Sequence, residues 1–219
     1  GINITEKYFN SAGLANIFCD EGQGLRGGCE FLNLTASIGQ KSRSYGLSWT
    51  KPYFMDSKWS VGFDIESSST RYISSDYDIE ALGYTLRANY DINAFTRFGW
   101  HYRIRNTSMD LEGDARNGYC DLYKASRIQG LISATGFSFS YDSTDRFEMP
   151  TKGFRSTFEA EYAGLGGDHT FMGFGYLNSY YISLCEKGVL KFRGDFKFIQ
   201  PLWKTDFNHL PMDERLFLG

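Results

Sequence analysis

Alternation between apolar and polar residues is the feature that most constrains how this chain can fold. Residues 137–142 alternate an aromatic ring with Ser or Asp, and residues 154–163 alternate mainly apolar residues with charged or hydroxylated ones. Successive side chains on a β-strand point to opposite faces, so each run gives a strand with one apolar and one polar face. The two runs flank a turn signature, which predicts an antiparallel hairpin.

The same period of two recurs along most of the sequence. Comparable runs cover residues 59–66, 82–90, 97–105, 172–183 and 190–198, with further candidate strands at 1–9, 29–38 and 44–53. Runs of about ten residues match the length that a tilted strand needs to cross a bilayer. Aromatic residues make up 17% of the chain, which favours lipid over a protein interior as the cover of the apolar face. The pattern therefore predicts an all-β fold, an antiparallel transmembrane β-barrel with about nine or ten strands here. A soluble β-barrel binding protein is the alternative.

Composition narrows the classes of protein further. No stretch approaches the roughly 18 apolar residues that a membrane-spanning helix requires. The net charge of −3 gives no reason to expect the basic face that nucleic-acid binding usually requires, so we expect no nucleic-acid partner. Only four prolines and no Ser/Gly-rich tract interrupt the chain, so residues 1–219 are predicted to be part of one domain.

Connection lengths predict which end of each strand faces the cell surface. Short connections are predicted at Lys51–Lys58, Asp91–Ala94 and Leu184–Gly188, and longer ones at Ser67–Tyr77 and Asn106–Arg127. Outer-membrane barrels have short periplasmic turns and longer external loops. We therefore place 106–127 at the cell surface and 145–153 in the periplasm. The long segment 10–28 would then be periplasmic, against the rule, and could begin with a short amphipathic helix.

The four cysteines are Cys19, Cys29, Cys120 and Cys185. Their spacing matches no zinc-binding pattern. In an oxidising compartment a Cys19–Cys29 disulfide could close the glycine-rich loop between them. Free or intermolecular thiols are the alternative.

Charged residues on the predicted polar face are the main candidates for chemistry. They are Arg97, His101, Arg103 and Arg105 on one strand and Glu159 and Glu161 on another. The simpler interpretation is that a water-filled lumen is lined by opposite charges that suit each other. The alternative is a latch for a loop or a selectivity lining.

No residue pattern in the sequence indicates catalysis. His169 and His209 have no partners at metal-ligand spacing, and no G-x-S-x-G motif is present. Residues 22–27 fit G-x-G-x-x-G, but no βαβ unit surrounds them. We therefore expect no enzyme, no metal and no cofactor.

Two motifs and one terminal segment carry a family resemblance. Arg146–Gly153, with its Pro150-Thr151-x-Gly153 core, is similar to a turn between mid-barrel strands, and Lys51-Pro52-Tyr53-Phe54 is similar to an Asn-Pro-Tyr-Phe strand end. Glu214–Gly219 is similar to the approach to a long sixth external loop. In their order along the chain, these segments resemble the BamA-type outer-membrane β-barrel assembly family. Lys51 departs from the usual Asn.

The resemblance implies a fold, a location and a function. It implies a sixteen-stranded barrel in the bacterial outer membrane, with POTRA domains, the sixth-loop Val-Arg-Gly-Phe motif and the terminal strands outside these residues. It implies the insertion and folding of other β-barrel proteins into that membrane. The partners would be the lipid bilayer, unfolded β-barrel clients, accessory assembly lipoproteins and periplasmic chaperones. A related pore that secretes or translocates polypeptides is the alternative.

Overall fold

The computed structural model describes residues 1–11, 28–72, 77–111, 129–146, 148–185, 188–203, 205 and 214. Ten β-strands account for most of them: β1 (Ile2–Phe9), β2 (Glu30–Ile38), β3 (Ser42–Lys51), β4 (Trp59–Tyr72), β5 (Tyr77–Asp91), β6 (Thr96–Leu111), β7 (Gly130–Asp142), β8 (Gly153–Ala163), β9 (Phe171–Cys185) and β10 (Gly188–Pro201). A 3₁₀ turn, Phe54–Asp56, follows β3.

The strands form one antiparallel sheet in which every strand pairs with its neighbours in sequence. This meander confirms the predicted all-β antiparallel class. Within the described residues β1 pairs only with β2 and β10 only with β9, so the sheet is open there. No helix in the described part of the chain is long and apolar enough to cross a membrane.

Strand register aligns most of the apolar residues of the ten strands on one side, called here the apolar face. One row comprises Phe139, Phe158, Tyr176 and Phe196 on β7 to β10. These side chains are 41–63% exposed, although burial of aromatic rings is a dominant stabilising term in folded proteins. So large an exposed apolar surface requires a cover. In a transmembrane β-barrel, membrane lipid covers such a surface.

The opposite side, called the polar face, carries charged, hydroxylated and glycine residues. A small apolar cluster interrupts it at the predicted cell-surface end, formed by Ile132, Ala134, Ala163 and Phe171. Phe171 and Ile132 are almost fully buried. The core of this wall therefore lies at one rim, while the rest of the polar face remains accessible.

The two longer predicted connections are wrong in their bounds. β4 and β5 extend to Tyr72 and from Tyr77, so the longer connection predicted at 67–77 is mostly strand. β6 continues to Leu111, which takes the first six residues of the predicted 106–127 loop into the sheet. Where a strand projects beyond the hydrocarbon both of its faces are polar, and the alternation that marks a strand disappears.

Phe158 and Glu159 provide a direct test of the two faces. We expect Phe158→Arg to cost roughly 2–4 kcal/mol of unfolding free energy near the bilayer midplane, because a charge on the lipid side is poorly solvated. Glu159→Gln, on the polar face of the same strand, should cost little. The measurement is a urea titration of the folded protein in vesicles. Equal costs would show that the faces are reversed.

Candidate functional site: a charge cluster on the polar face and the β7–β8 turn

Arg103 on β6 is the centre of a charge cluster on the polar face. Its Nε and Nη2 donate to the two carboxylate oxygens of Glu161 on β8, at 3.0 and 2.6 Å. Its Nη1 donates to Oε1 of Glu214 at 2.8 Å. The His101 Nε2 lies 3.0 Å from Glu161 Oε2. One guanidinium thus holds two carboxylates, with the bidentate geometry that suits arginine.

A glycine in the intervening strand allows this contact. His101, Gly136 and Glu161 occupy one row across β6, β7 and β8. A Cβ atom on Gly136 would lie 2.5 Å from the His101 ring, so a side chain there would block the path to Glu161. Gly62 on β4 likewise leaves room for a side-chain contact between β3 and β5. The Arg87 Nη2 crosses above it to donate to Thr50 Oγ1 at 3.3 Å.

The contact with Glu214 joins parts of the chain that are 111 residues apart. The chain that follows β10 begins by pairing with the rim of the sheet. The Leu202 amide donates to the Thr170 carbonyl at 2.9 Å, and the Thr170 amide donates to Thr205 Oγ1 at 2.8 Å. Glu214 then reaches Arg103, four strands away from β10. Leu202 and Thr205 are therefore held at the rim of the sheet, and Glu214 is held on the polar face.

The other charged residues predicted for this face lie on the same two strands as Arg103 and Glu161. Arg97 pairs instead with Asp91 at 2.6 Å in an exposed contact near the start of β6. Arg105 lies on the same face, one position beyond Arg103 in the alternation. Glu159 lies one position before Glu161 on β8, opposite Gly175 of β9, and is exposed.

The turn between β7 and β8 is organised by Asp145, a residue that sequence reasoning did not single out. Its carboxylate accepts hydrogen bonds from Thr151 Oγ1 at 2.6 Å, from the Thr151 amide at 2.8 Å and from the Lys152 amide at 3.1 Å. Its own amide donates to the Lys152 carbonyl at 3.2 Å. Its carboxylate reaches amides six and seven residues further along the chain, whereas an ordinary Asx turn reaches an amide two residues on, so no standard local signal marked this residue.

Hydrogen bonds from the Thr151 hydroxyl and amide, and from the Lys152 amide, hold the pKa of Asp145 well below its usual range. A lowered folded-state pKa stabilises the turn above the unfolded pKa, near 3.8, and that stabilisation is lost as pH falls toward the folded value. We expect Thr151→Val to raise the Asp145 pKa measured by carboxyl ¹³C NMR titration. The stability difference between Thr151→Val and wild type should be largest at neutral pH and shrink below about pH 4. An unchanged Asp145 titration would contradict this assignment.

Four predicted motif residues lie in or beside this turn. Gly153 has φ +113°, and a Cβ there would lie 2.5 Å from the Ser143 carbonyl oxygen. Pro150 is half-buried, and Thr151 contacts Asp145 as described. Arg146 is exposed, and its carbonyl accepts from Thr144 Oγ1 at 3.2 Å. The motif therefore shapes a tight reversal, and its family role stays a prediction.

The second predicted motif lies just beyond β3, not at the end of a strand that continues to residue 53. Tyr53 adopts φ +50° and is 75% exposed, and Met55 adopts φ +53°. Phe54 begins the 3₁₀ turn, which Ser57 closes by donating from Oγ to the Phe54 carbonyl at 2.5 Å. Pro52 stands between the strand and this turn.

The predicted disulfide cannot be placed, because Cys19 lies outside the described residues. Cys29 is exposed, just before β2. His209 also lies outside them, whereas His169 is buried and its Nε2 is 3.3 Å from the Gln129 carbonyl. No group of three or more metal-ligating side chains occurs in the described part of the chain.

Comparison with known proteins gives matches to a family, to a sequence relative and to a solved structure. The model of the Omp85 superfamily domain matches residues 25–219. The outer membrane protein assembly factor BamA of Nitratidesulfovibrio vulgaris is 29% identical over 145 residues, which is 65% of this chain and 18% of that protein. The crystal structure of BamA from Haemophilus ducreyi lacking POTRA domains 1–3 aligns with a TM-score of 0.72 at 18% identity, over 97% of this chain and 40% of that one. The chain thus spans less than half the length of either relative.

Proposed function

Because the chain belongs to the Omp85 superfamily, a family of bacterial outer-membrane proteins, we propose that it acts in outer-membrane protein assembly. In this role the protein inserts and folds other β-barrel proteins into the membrane. It would form part of a single barrel domain whose apolar face contacts lipid and whose polar face lines the lumen. The role involves no bond-making chemistry.

The similarity to an assembly factor over 145 residues is the observation that carries this proposal. The geometry of the wall supports it. A continuous antiparallel sheet with an apolar face of exposed aromatic residues suits a membrane-embedded scaffold. Its partners would be the lipid bilayer, unfolded β-barrel clients, accessory assembly lipoproteins and periplasmic chaperones.

A folding assay tests the proposal. The protein that contains this chain is reconstituted into liposomes, and a urea-unfolded β-barrel client is added. Because a folded barrel resists SDS until it is heated, the folded fraction is read from its migration on unheated gels. We expect client folding to be faster than in empty liposomes of the same lipid. No acceleration, together with passage of an unfolded polypeptide across the membrane, would favour a secretion or translocation pore instead.

A further inference from the structure

Glu30, at the start of β2, is a buried carboxylate that the proposed function does not use. Its side chain is 2% exposed. It accepts four hydrogen bonds of 2.9–3.0 Å, from the amide and hydroxyl of Ser11, the indole of Trp49 and the ammonium of Lys51. Two separate stretches of chain, one just after β1 and one at the end of β3, therefore converge on one carboxylate.

This cluster lies on the apolar face. Glu30 shares its side of β2 with Leu32 and Leu34, and Trp49 pairs across with Leu32. Lys51 follows on the same side of β3, opposite Val61 of β4. The charged pair thus stands at the periplasmic end of a column of lipid-facing apolar residues, on the outer surface of the wall and not in the lumen.

The composition of this rim marks it as the level of the lipid headgroups. Trp59 and Tyr90 pair across β4 and β5 at the same end, with ring centroids 5.0 Å apart. Tryptophan and tyrosine gather where hydrocarbon meets water, and lysine extends its ammonium toward the same zone. An ion pair within hydrocarbon would be costly. The Lys51–Glu30 pair therefore belongs at the headgroups.

The two members of the pair differ in how they face the membrane. Glu30 is enclosed, whereas the Lys51 side chain is 39% exposed. Its ammonium gives one hydrogen bond to Glu30 Oε1, and an ammonium carries three donors. The rim consequently presents a cation outward, held in place from behind by the buried carboxylate.

We propose that Lys51, positioned by Glu30 and flanked by Trp49, binds the phosphate of an anionic phospholipid in the periplasmic leaflet. The site fixes the depth in the membrane of the rim formed by the start of β2 and the end of β3. The indole lies against the glycerol and upper acyl region while the ammonium pairs with the headgroup anion. This inference depends on the membrane location alone and is independent of any activity in assembly.

Spin-labelled phosphatidylglycerol in phosphatidylcholine nanodiscs, with the complete protein that contains this chain, tests the site. We expect Lys51→Gln to reduce preferential association of the labelled lipid up to about fivefold, the effect of one lysine near an anionic surface. Lys51→Arg should retain it. Lys58→Gln removes the same charge from the exposed β3–β4 turn at the same end and is the matched control. Equal losses for Lys51→Gln and Lys58→Gln, or no loss for Lys51→Gln, would overturn the proposal.

A second measurement does not require any lysine variant to fold. The fluorescence of Trp49, taken as the difference between wild type and Trp49→Phe, is quenched with nitroxide lipids of two depths. We expect stronger quenching by a label at acyl carbon 5 than by one at carbon 16. The reverse order would place Trp49 in the hydrocarbon centre and exclude a headgroup site at Lys51.

Discussion

Arg103→Ala should destabilise the folded protein by about 3 kcal/mol, because two carboxylates would lose the cation they share. Glu161 and Glu214 are only 22% and 14% exposed, so water can compensate only in part. The expected loss is near the lower end for broken buried ion pairs because these side chains are not fully enclosed. The measurement is the free energy of unfolding in urea, in vesicles of one lipid composition.

Arg97→Ala is the matched control for this prediction. Arg97 lies on the same strand and the same face, but its pair with Asp91 is 53–61% exposed, and such pairs contribute about 0–1 kcal/mol. Combining Arg103→Ala with Glu161→Gln should recover part of the loss, since one uncompensated charge is removed with the cation. Similar losses for Arg97→Ala and Arg103→Ala would show that the cluster is no more than a polar lining.

Gly153→Val should cost at least about 2 kcal/mol and slow assembly of the barrel, because valine is strained at positive φ. The backbone there has φ +113°, and a Cβ would lie 2.5 Å from the Ser143 carbonyl oxygen and 2.7 Å from the Thr144 Cα. Both are backbone atoms, so no side-chain rotation relieves the clash. The measurement is the rate at which heat-modifiable, folded protein accumulates after dilution from urea into vesicles.

Gly166→Val separates strain from clash. Gly166 has φ +95° in the β8–β9 connection, and a Cβ there would meet nothing within 4 Å. It should therefore show the cost of positive φ without the contact. If both variants fold at the wild-type rate, neither turn limits assembly. If Gly166→Val is as slow as Gly153→Val, close packing at Ser143 is not the cause.

The sequence allowed the fold to be predicted wherever hydrocarbon enforces alternation. In β5, apolar and polar residues alternate without a break from Leu82 to Tyr90. The register places the apolar members of this run on the apolar face, as expected. The prediction failed for the parts of strands that extend beyond the lipid. Residues 67–70 read Ser-Ser-Ser-Thr and were taken for a loop, although β4 continues through them, because a strand in water needs no apolar face.

The sites were less predictable because their geometry depends on distant chain segments. His101, Arg103 and Glu161 could be placed on one face from periodicity, but the contact of Arg103 with Glu214 depends on the path taken after β10. Glu30 read as an ordinary charge at a strand start, since nothing local indicates that Ser11 and Lys51 would enclose it. Such contacts follow from register between strands, which a one-dimensional pattern does not contain.

The side chains that meet over glycines have a mechanical consequence for the whole wall. Backbone ladders connect only adjacent strands, whereas His101 to Glu161 and Arg87 to Thr50 each connect strands that are two apart. Such ties resist sliding and fanning of neighbouring strands, so β3 to β5 and β6 to β8 should each move as a stiff plate. If a barrel that contains these two plates opens sideways, it must flex between them or elsewhere in its circumference.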